Sequence, residues 1–444
     1  MTEQTRQRWL ILAHAFNMDG RAASQTITDK LPHLIRAGIE VVVISGVSGV
    51  HDSVVEHHQI WPAGPAGLRF ELRHVLRRRF QNRLVYRTLM TLASVALLPA
   101  FVVEKLLRPV ESSWSWWLSA YIKGLALARY RPFDLIYSTG GAFAAHVAGH
   151  ALKKSTGIPW LAEVHDPFVT PGVPPTSAQD KMQAHVEKLI CDDADIAIWF
   201  TAQALASAQA RHPQLGARGK MMLPGIDKPF KTLPPSKRGP QFVIGHFGSL
   251  SSTRNLTCII DALELLQAQR PELIAQTELH LYGGPLDPVS SGKIATSPVR
   301  AQVRHFGRIE ADPETGLSGR EQILLRMRSA DVLLLLHGEE PICEEYIPSK
   351  LYEYLWMQRP ILATVHRNPQ MAEILRGQGH VAVLTGEAGQ LPQTTAEALA
   401  RELVPLHQCW QEDGLPDSGR ISLYTTQQAV EQLVSWVEQR SPTE

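Results

Sequence analysis

What most limits the folding of this 444-residue chain is a sustained alternation of short apolar runs with longer helical stretches. The runs start at Trp9-Leu10-Ile11-Leu12 and recur at 41–44, 135–137, 160–162, 196–199 and 242–244. A second series follows at 279–282, 303–306, 332–336, 361–363 and 381–384. Each run has strand length and each interval can hold a helix, so the pattern reads as consecutive βαβ units. Between the series, residues 227–240 are rich in proline and lysine and suit an exposed connection.

The expectation is an α/β protein of two doubly wound, Rossmann-like domains. The first covers residues 1–226, a linker 227–240, the second 241–420, and a closing segment 421–444 in which Ala429, Leu433 and Val437 are spaced as one face of a helix. The length agrees, since roughly 200 residues per domain is ordinary. Open α/β sheets bind ligands outside the carboxyl ends of their strands. Two such domains would set those ends across a cleft.

Composition narrows the function by exclusion. A net charge of +1 advertises no nucleic-acid partner. Cys191, Cys258, Cys343 and Cys409 are scattered without metal-ligand spacing, which fits a reducing cytosol and gives no metal site. The N-terminus lacks the charged-then-apolar order of an export signal. Neither Gly-x-Gly-x-x-Gly nor a Walker phosphate loop occurs, so hydride transfer and ATP hydrolysis lose support.

The strongest local pattern spans Cys343 to Leu355. Glu345 and Glu353 stand eight positions apart around a helix start marked by Pro348-Ser349. Proline suits a first helical turn, serine can cap one, and the amides of Ser349, Lys350 and Leu351 would point outward toward a phosphate. Carboxylates beside phosphate repel it, so the two glutamates read as acceptors for sugar hydroxyls. After the first strand of the second domain, Gly248 lets backbone approach a ligand and Arg254 can grip a pyrophosphate. The backbone at Arg308 and Ile309 could read a base edge, and Gly20 could contact donor phosphates. In the first domain, Glu163, His165 and Asp166 follow a strand directly, the usual position of α/β active-site groups.

Several stretches, in order, resemble retaining glycosyltransferases of the GT-B fold, family four, which make bacterial envelope polysaccharides. They are residues 134–140, Gly157-Ile158-Pro159-Trp160, His165-Asp166-Pro167 and Ile347-Pro348-Ser349-Lys350-Leu351-Tyr352-Glu353-Tyr354-Leu355. The resemblance implies a nucleotide-sugar donor as substrate, no required cofactor, and a saccharide or lipid-linked saccharide acceptor. It assigns donor-sugar hydroxyls to Glu345, the ribose to Glu353, the distal phosphate to the amides of 349–351, and the pyrophosphate to Arg254. The family's accompanying lysine is missing near Arg254, and Lys350 is the substitute. A nucleotide-sugar epimerase and a non-catalytic partner on the same fold are the rival readings; retention of both glutamates favours an enzyme.

Residues 77–117 break the rhythm. Arg77, Arg78, Arg79, Arg83 and Arg87 precede an uncharged run, Leu89 to Val103, and Trp114, Trp116 and Trp117 follow. Two readings fit: a segment lying on an anionic inner-membrane surface, which would make the cytoplasmic protein peripheral, or a buried helical hairpin. The run of about 15 residues is short for a span of roughly 20.

Overall fold

The computed structural model describes residues 7–18, 22–236, 238–386 and 391–440. It divides into two compact units: residues through Gly225 together with those from Thr426, and Ile226–Thr425.

The first unit holds a seven-stranded parallel sheet: β1 (Arg8–Leu12), β2 (Glu40–Ser45), β3 (Glu56–Gln59), β4 (Leu135–Gly140), β5 (Trp160–Val164), β6 (Ile196–Trp199) and β7 (Gly219–Met221). The strand order is β3-β2-β1-β4-β5-β6-β7, so the winding reverses between β1 and β4. Helices cover both faces, which is why β1 reads as unbroken apolar sequence from Trp9 to Leu12. Leu10, Leu12, Val42 and Ile44 pack on one side with Trp116, Ala144 and Ile190. Trp9, Ile11, Val41 and Val43 pack on the other with Ile27, Leu34 and the closing helix Thr426–Glu438. That helix buries Ala429, Leu433 and Val437, the stripe expected of it, against the first unit.

The second unit repeats the plan with β8 (Phe242–Phe247), β9 (Thr277–Tyr282), β10 (Val303–Gly307), β11 (Val332–Leu335), β12 (Ile361–His366) and β13 (Val381–Thr385). Its order is β10-β9-β8-β11-β12-β13, again parallel, with the reversal between β8 and β11. The proline-rich connection is stapled to this unit. Arg328 Nε donates to Pro234 O at 2.6 Å, Ser236 Oγ donates to Asp417 at 3.1 Å, and the Arg238 guanidinium lies 4.6 Å from the Trp410 ring centre.

Residues 65–107 form two helices, Pro65–Arg79 and Arg83–Leu107. The second runs 25 residues, straight through the short apolar run and Pro99, and buries only Glu104. The buried-hairpin reading therefore fails for this helix. It is the one helix among the described residues that is long and apolar enough, by length and composition, to cross a bilayer.

Candidate active site

Beside the reversal point of the first sheet, one strand beyond the β1–β4 junction, β4 and the end of β5 enclose a network of buried polar groups. Glu163, the fourth residue of β5, is fully buried. It forms an ion pair with Lys30, which is equally buried. Tyr137 donates to Glu163 Oε2 at 2.7 Å and Thr139 to Oε1 at 2.8 Å. Burial works against the Glu163 charge, yet the Lys30 ammonium and the bond from His165 hold its carboxyl below the usual carboxylate range. Burial draws Lys30 below its ordinary value, with Glu163 opposing that shift. Burial and the neighbouring carboxylate push Tyr137 well up, so it remains a donor.

This network fixes His165. Its Nε2 lies 2.9 Å from both Glu163 Oε1 and Thr139 Oγ1, and its ring stacks on Phe200 at 4.8 Å. An ionised carboxylate only accepts, so the network assigns the proton to Nε2. Asp166, one residue on, is exposed. A second buried chain shapes the end of β4. Trp160 Nε1 donates to Ser138 Oγ at 2.8 Å, Ser138 meets His146 Nδ1 at 2.9 Å, and His146 Nε2 reaches Gly140 O at 3.2 Å. Burial lowers His146 to about 4, so it is neutral and can hold Gly140 in its φ of 113°.

In the second unit the loops after β8 and β11 pack together at the reversal point. Glu339 N–H donates to Thr253 O at 3.1 Å, and Thr253 Oγ1 donates to Glu340 at 2.8 Å. Arg254 Nε donates to Ser249 O at 3.0 Å and its Nη1 lies 3.3 Å from the Tyr346 hydroxyl. Arg254 and the Glu345–Tyr346 end of the glutamate segment thus lie side by side. Glu345 is buried and closes a short 3-10 helix, Pro341–Glu345. Glu353 is buried to 5 % exposure and pairs with Lys350.

Two expectations are corrected. The helix after Pro348 spans only seven residues, Lys350–Trp356, and the Ser349 side chain caps nothing. The Leu351 N–H is already bonded to Pro348 O at 2.9 Å, because the entry is wound as a tight turn, which removes Leu351 from the phosphate-facing set. Gly283, with φ 154°, packs against the Gly248 backbone: a Cβ there would lie 2.0 Å from Gly248 O, while the space beside Gly248 itself is open, with nothing nearer than 3.8 Å to a Cβ.

Arg308 and Ile309 follow the edge strand β10, two strands from β8, a separation of about 10 Å. Arg308 is exposed. An aromatic ladder crosses that interval: Phe247 on Tyr282 and Tyr282 on Phe306, each at 4.8 Å and nearly parallel. Gly20 lies outside the described residues. Sequence reasoning missed Lys30, Tyr137 and Thr139. Tyr137 closes an apolar run, Thr139 sits among the small residues Ser138 and Gly140, and Lys30 carries no local sign that it is buried.

No protein-family model and no curated protein sequence matches the chain. Solved structures do. A sucrose-phosphate synthase from Thermosynechococcus elongatus superposes with a TM-score of 0.60 at 15% identity, covering 98% of this chain and 99% of that one. WaaG, a glycosyltransferase involved in lipopolysaccharide biosynthesis, gives 0.57 at 14% identity over 96% and 99%. A glycosyltransferase from Rickettsia africae gives 0.61 at 11% identity over 99% and 100%. With both sheets wound alike and these likenesses spanning nearly the whole chain, the fold is GT-B.

Proposed function

We propose that this chain is a retaining glycosyltransferase of the family-four kind. It moves a sugar from a nucleoside-diphosphate donor to an acceptor hydroxyl in cell-envelope, capsule or exopolysaccharide synthesis. The observation that carries the reading is the convergence of Arg254, Tyr346 and the Glu345-to-Glu353 segment at the reversal point of the second sheet. Open α/β sheets bind their ligands at that point. The fold supports the reading, as do neighbours whose own names are glycosyltransferase or sugar-phosphate synthase.

In this reading Arg254 and Lys350, with the amides of Ser349 and Lys350, meet the diphosphate. Glu353 takes the ribose and Glu345 a hydroxyl of the transferred sugar. Lys350 must turn from Glu353 to the phosphate as donor binds, which frees the carboxylate for the ribose. The bond from the anomeric carbon to the diphosphate breaks and one to the acceptor oxygen forms. The acceptor proton passes to the leaving phosphate oxygen, whose charge the fixed donors stabilise. His165, held through Nε2, offers Nδ1 to the sugar, and Asp166 orients sugar or acceptor. The acceptor is a saccharide or lipid-linked saccharide, and the protein works in the cytoplasm, peripheral to the inner membrane.

The test is turnover of a panel of nucleotide sugars with membrane extract as acceptor, with the anomeric configuration of the product read by NMR. Release of nucleoside diphosphate with retained configuration is expected, together with loss of turnover in Glu345→Gln. Isomerisation of donor without acceptor would replace this reading with an epimerase.

A further inference from the structure

The hairpin 65–107 joins two features that nothing in glycosyl transfer requires. Its second helix presents Leu84, Leu92, Val95, Leu98, Val102 and Leu106 along one side, each 44% to 78% exposed. Their spacing puts them on one face of a rod about 37 Å long. The other side carries Ser94, Phe101 and Glu104, which contact the first helix. Arg69 Nε donates to Ser94 Oγ at 3.1 Å and its guanidinium lies 5.7 Å from the Phe101 ring, while Glu104 accepts from the Ala66 N–H at 2.7 Å. The only acidic residues between 65 and 107 are Glu71 and Glu104, and both are buried. Arg73, Arg79, Arg83 and Arg87 are exposed, so the charge that the hairpin shows to solvent is positive.

We infer that this hairpin is a docking element for an anionic lipid bilayer, lying in the plane of the surface with the apolar side of Arg83–Leu107 immersed. Two observations decide against a span. The first helix, 15 residues or about 22 Å long, is shorter than a hydrocarbon core of about 30 Å. It also packs along the second, with Arg69 against the middle of that helix, so a crossing would drag the arginine into hydrocarbon. Charge decides against a second copy, because two such faces would bring like charges together. An anionic bilayer complements both the exposed apolar side and the exposed arginines.

The hairpin is also built onto the ligand end of the first sheet. Arg78 Nη2 donates to Val47 O at 3.0 Å and Nη1 to Gly49 O at 2.5 Å, just past β2. Glu71 pairs with His14, just past β1, at 3.1 Å. Docking would therefore hold the β1 and β2 ends beside the headgroups, where a lipid-linked acceptor presents its sugar. This last step rests on the proposed function. Arg78 is a staple within the fold and is not one of the lipid-facing arginines.

Co-sedimentation of the full chain with phosphatidylglycerol–phosphatidylcholine vesicles, against phosphatidylcholine alone, tests the inference. Expected is binding to the anionic vesicles only, released by a high-salt wash. A combined Arg79→Ser, Arg83→Ser, Arg87→Ser variant should bind roughly a hundredfold more weakly, at the contribution per basic residue usual near such surfaces. A combined Leu92→Ser, Val95→Ser, Leu98→Ser variant should lose detectable binding. Melting temperature and nucleoside-diphosphate binding, measured on the same samples, should not move. Release only by detergent would mean a span and overturn the in-plane assignment. Absence of vesicle binding, or a salt-stable dimer that the leucine-face variant disperses, would overturn lipid docking. In either case nucleotide binding by the same preparation would leave the glycosyltransferase reading standing.

Discussion

The two units share one strand order but furnish their reversal points in opposite ways. In the first, the charged groups are fully buried and paired: Lys30 and Glu163, with Tyr137, Thr139 and His165 bonded around them. In the second, the cations are partly exposed and held by weak or replaceable partners, Arg254 by a carbonyl and a phenol and Lys350 by Glu353. Buried pairs are costly to break and fix geometry. Partly exposed ones exchange partners cheaply. On the proposed function, the first unit would hold the His165 ring in place before substrate arrives, and the second would redirect its cations onto the diphosphate.

The largest effect is expected at the buried pair. Lys30→Met leaves the buried Glu163 charge without its counter-ion and should cost about 3–5 kcal/mol of stability, read by urea unfolding. Adding Glu163→Gln should restore much of that loss. If Lys30→Met costs less than about 1 kcal/mol, as an exposed pair would, the contrast between the units collapses.

Arg254→Ala should move stability little, yet weaken nucleoside-diphosphate binding about ten- to a hundredfold, the equivalent of a charged hydrogen bond worth about 1.5–3 kcal/mol. Calorimetric titration checks it. An unfolding effect as large as that of Lys30→Met would show that Arg254 is structural. A smaller change, about fivefold or 1 kcal/mol, is expected for Glu353→Gln, which loses a ribose acceptor while leaving Lys350 free for phosphate. Titration with diphosphate lacking the nucleoside should then show no loss.

The smallest difference between the units is expected in acid. His146 in the first and His246 and His337 in the second are each lowered by burial from 6.5 to about 4. Between those values the unfolded chain binds protons that the folded one does not. Stability should therefore be constant above about 6.5 from this source and fall as pH drops toward 4. Thermal melts across that window should show both units weakening. A flat profile would mean that these rings are not buried neutral.

Much of the fold was legible because both sheets are buried on both faces and their strands read as continuous apolar runs. The strands that escaped notice were β3, Glu-His-His-Gln, and β7, Gly-Lys-Met. Each is an edge strand with one neighbour, so its sequence carries no apolar run. Around Glu163, groups adjacent in sequence stood out and their partners distant in sequence did not. Glu163 and His165 stood out at a strand end, while Lys30, 133 positions from Glu163, did not. The Arg83–Leu107 helix looked shorter in sequence than it is, because counting an uncharged run stops at charged residues, here Arg87 and Glu104, that the helix passes through.

The measurement that bears most directly on the account is calorimetric titration of the purified chain with uridine, guanosine and adenosine diphosphates, alongside the Arg254→Ala variant. One-to-one binding of at least one of them, weakened tenfold or more by the substitution while the melting temperature holds, is the predicted result. A folded chain that binds none of the three, or binds one equally well without Arg254, would contradict the claim that the second unit's reversal point is a nucleotide-sugar site.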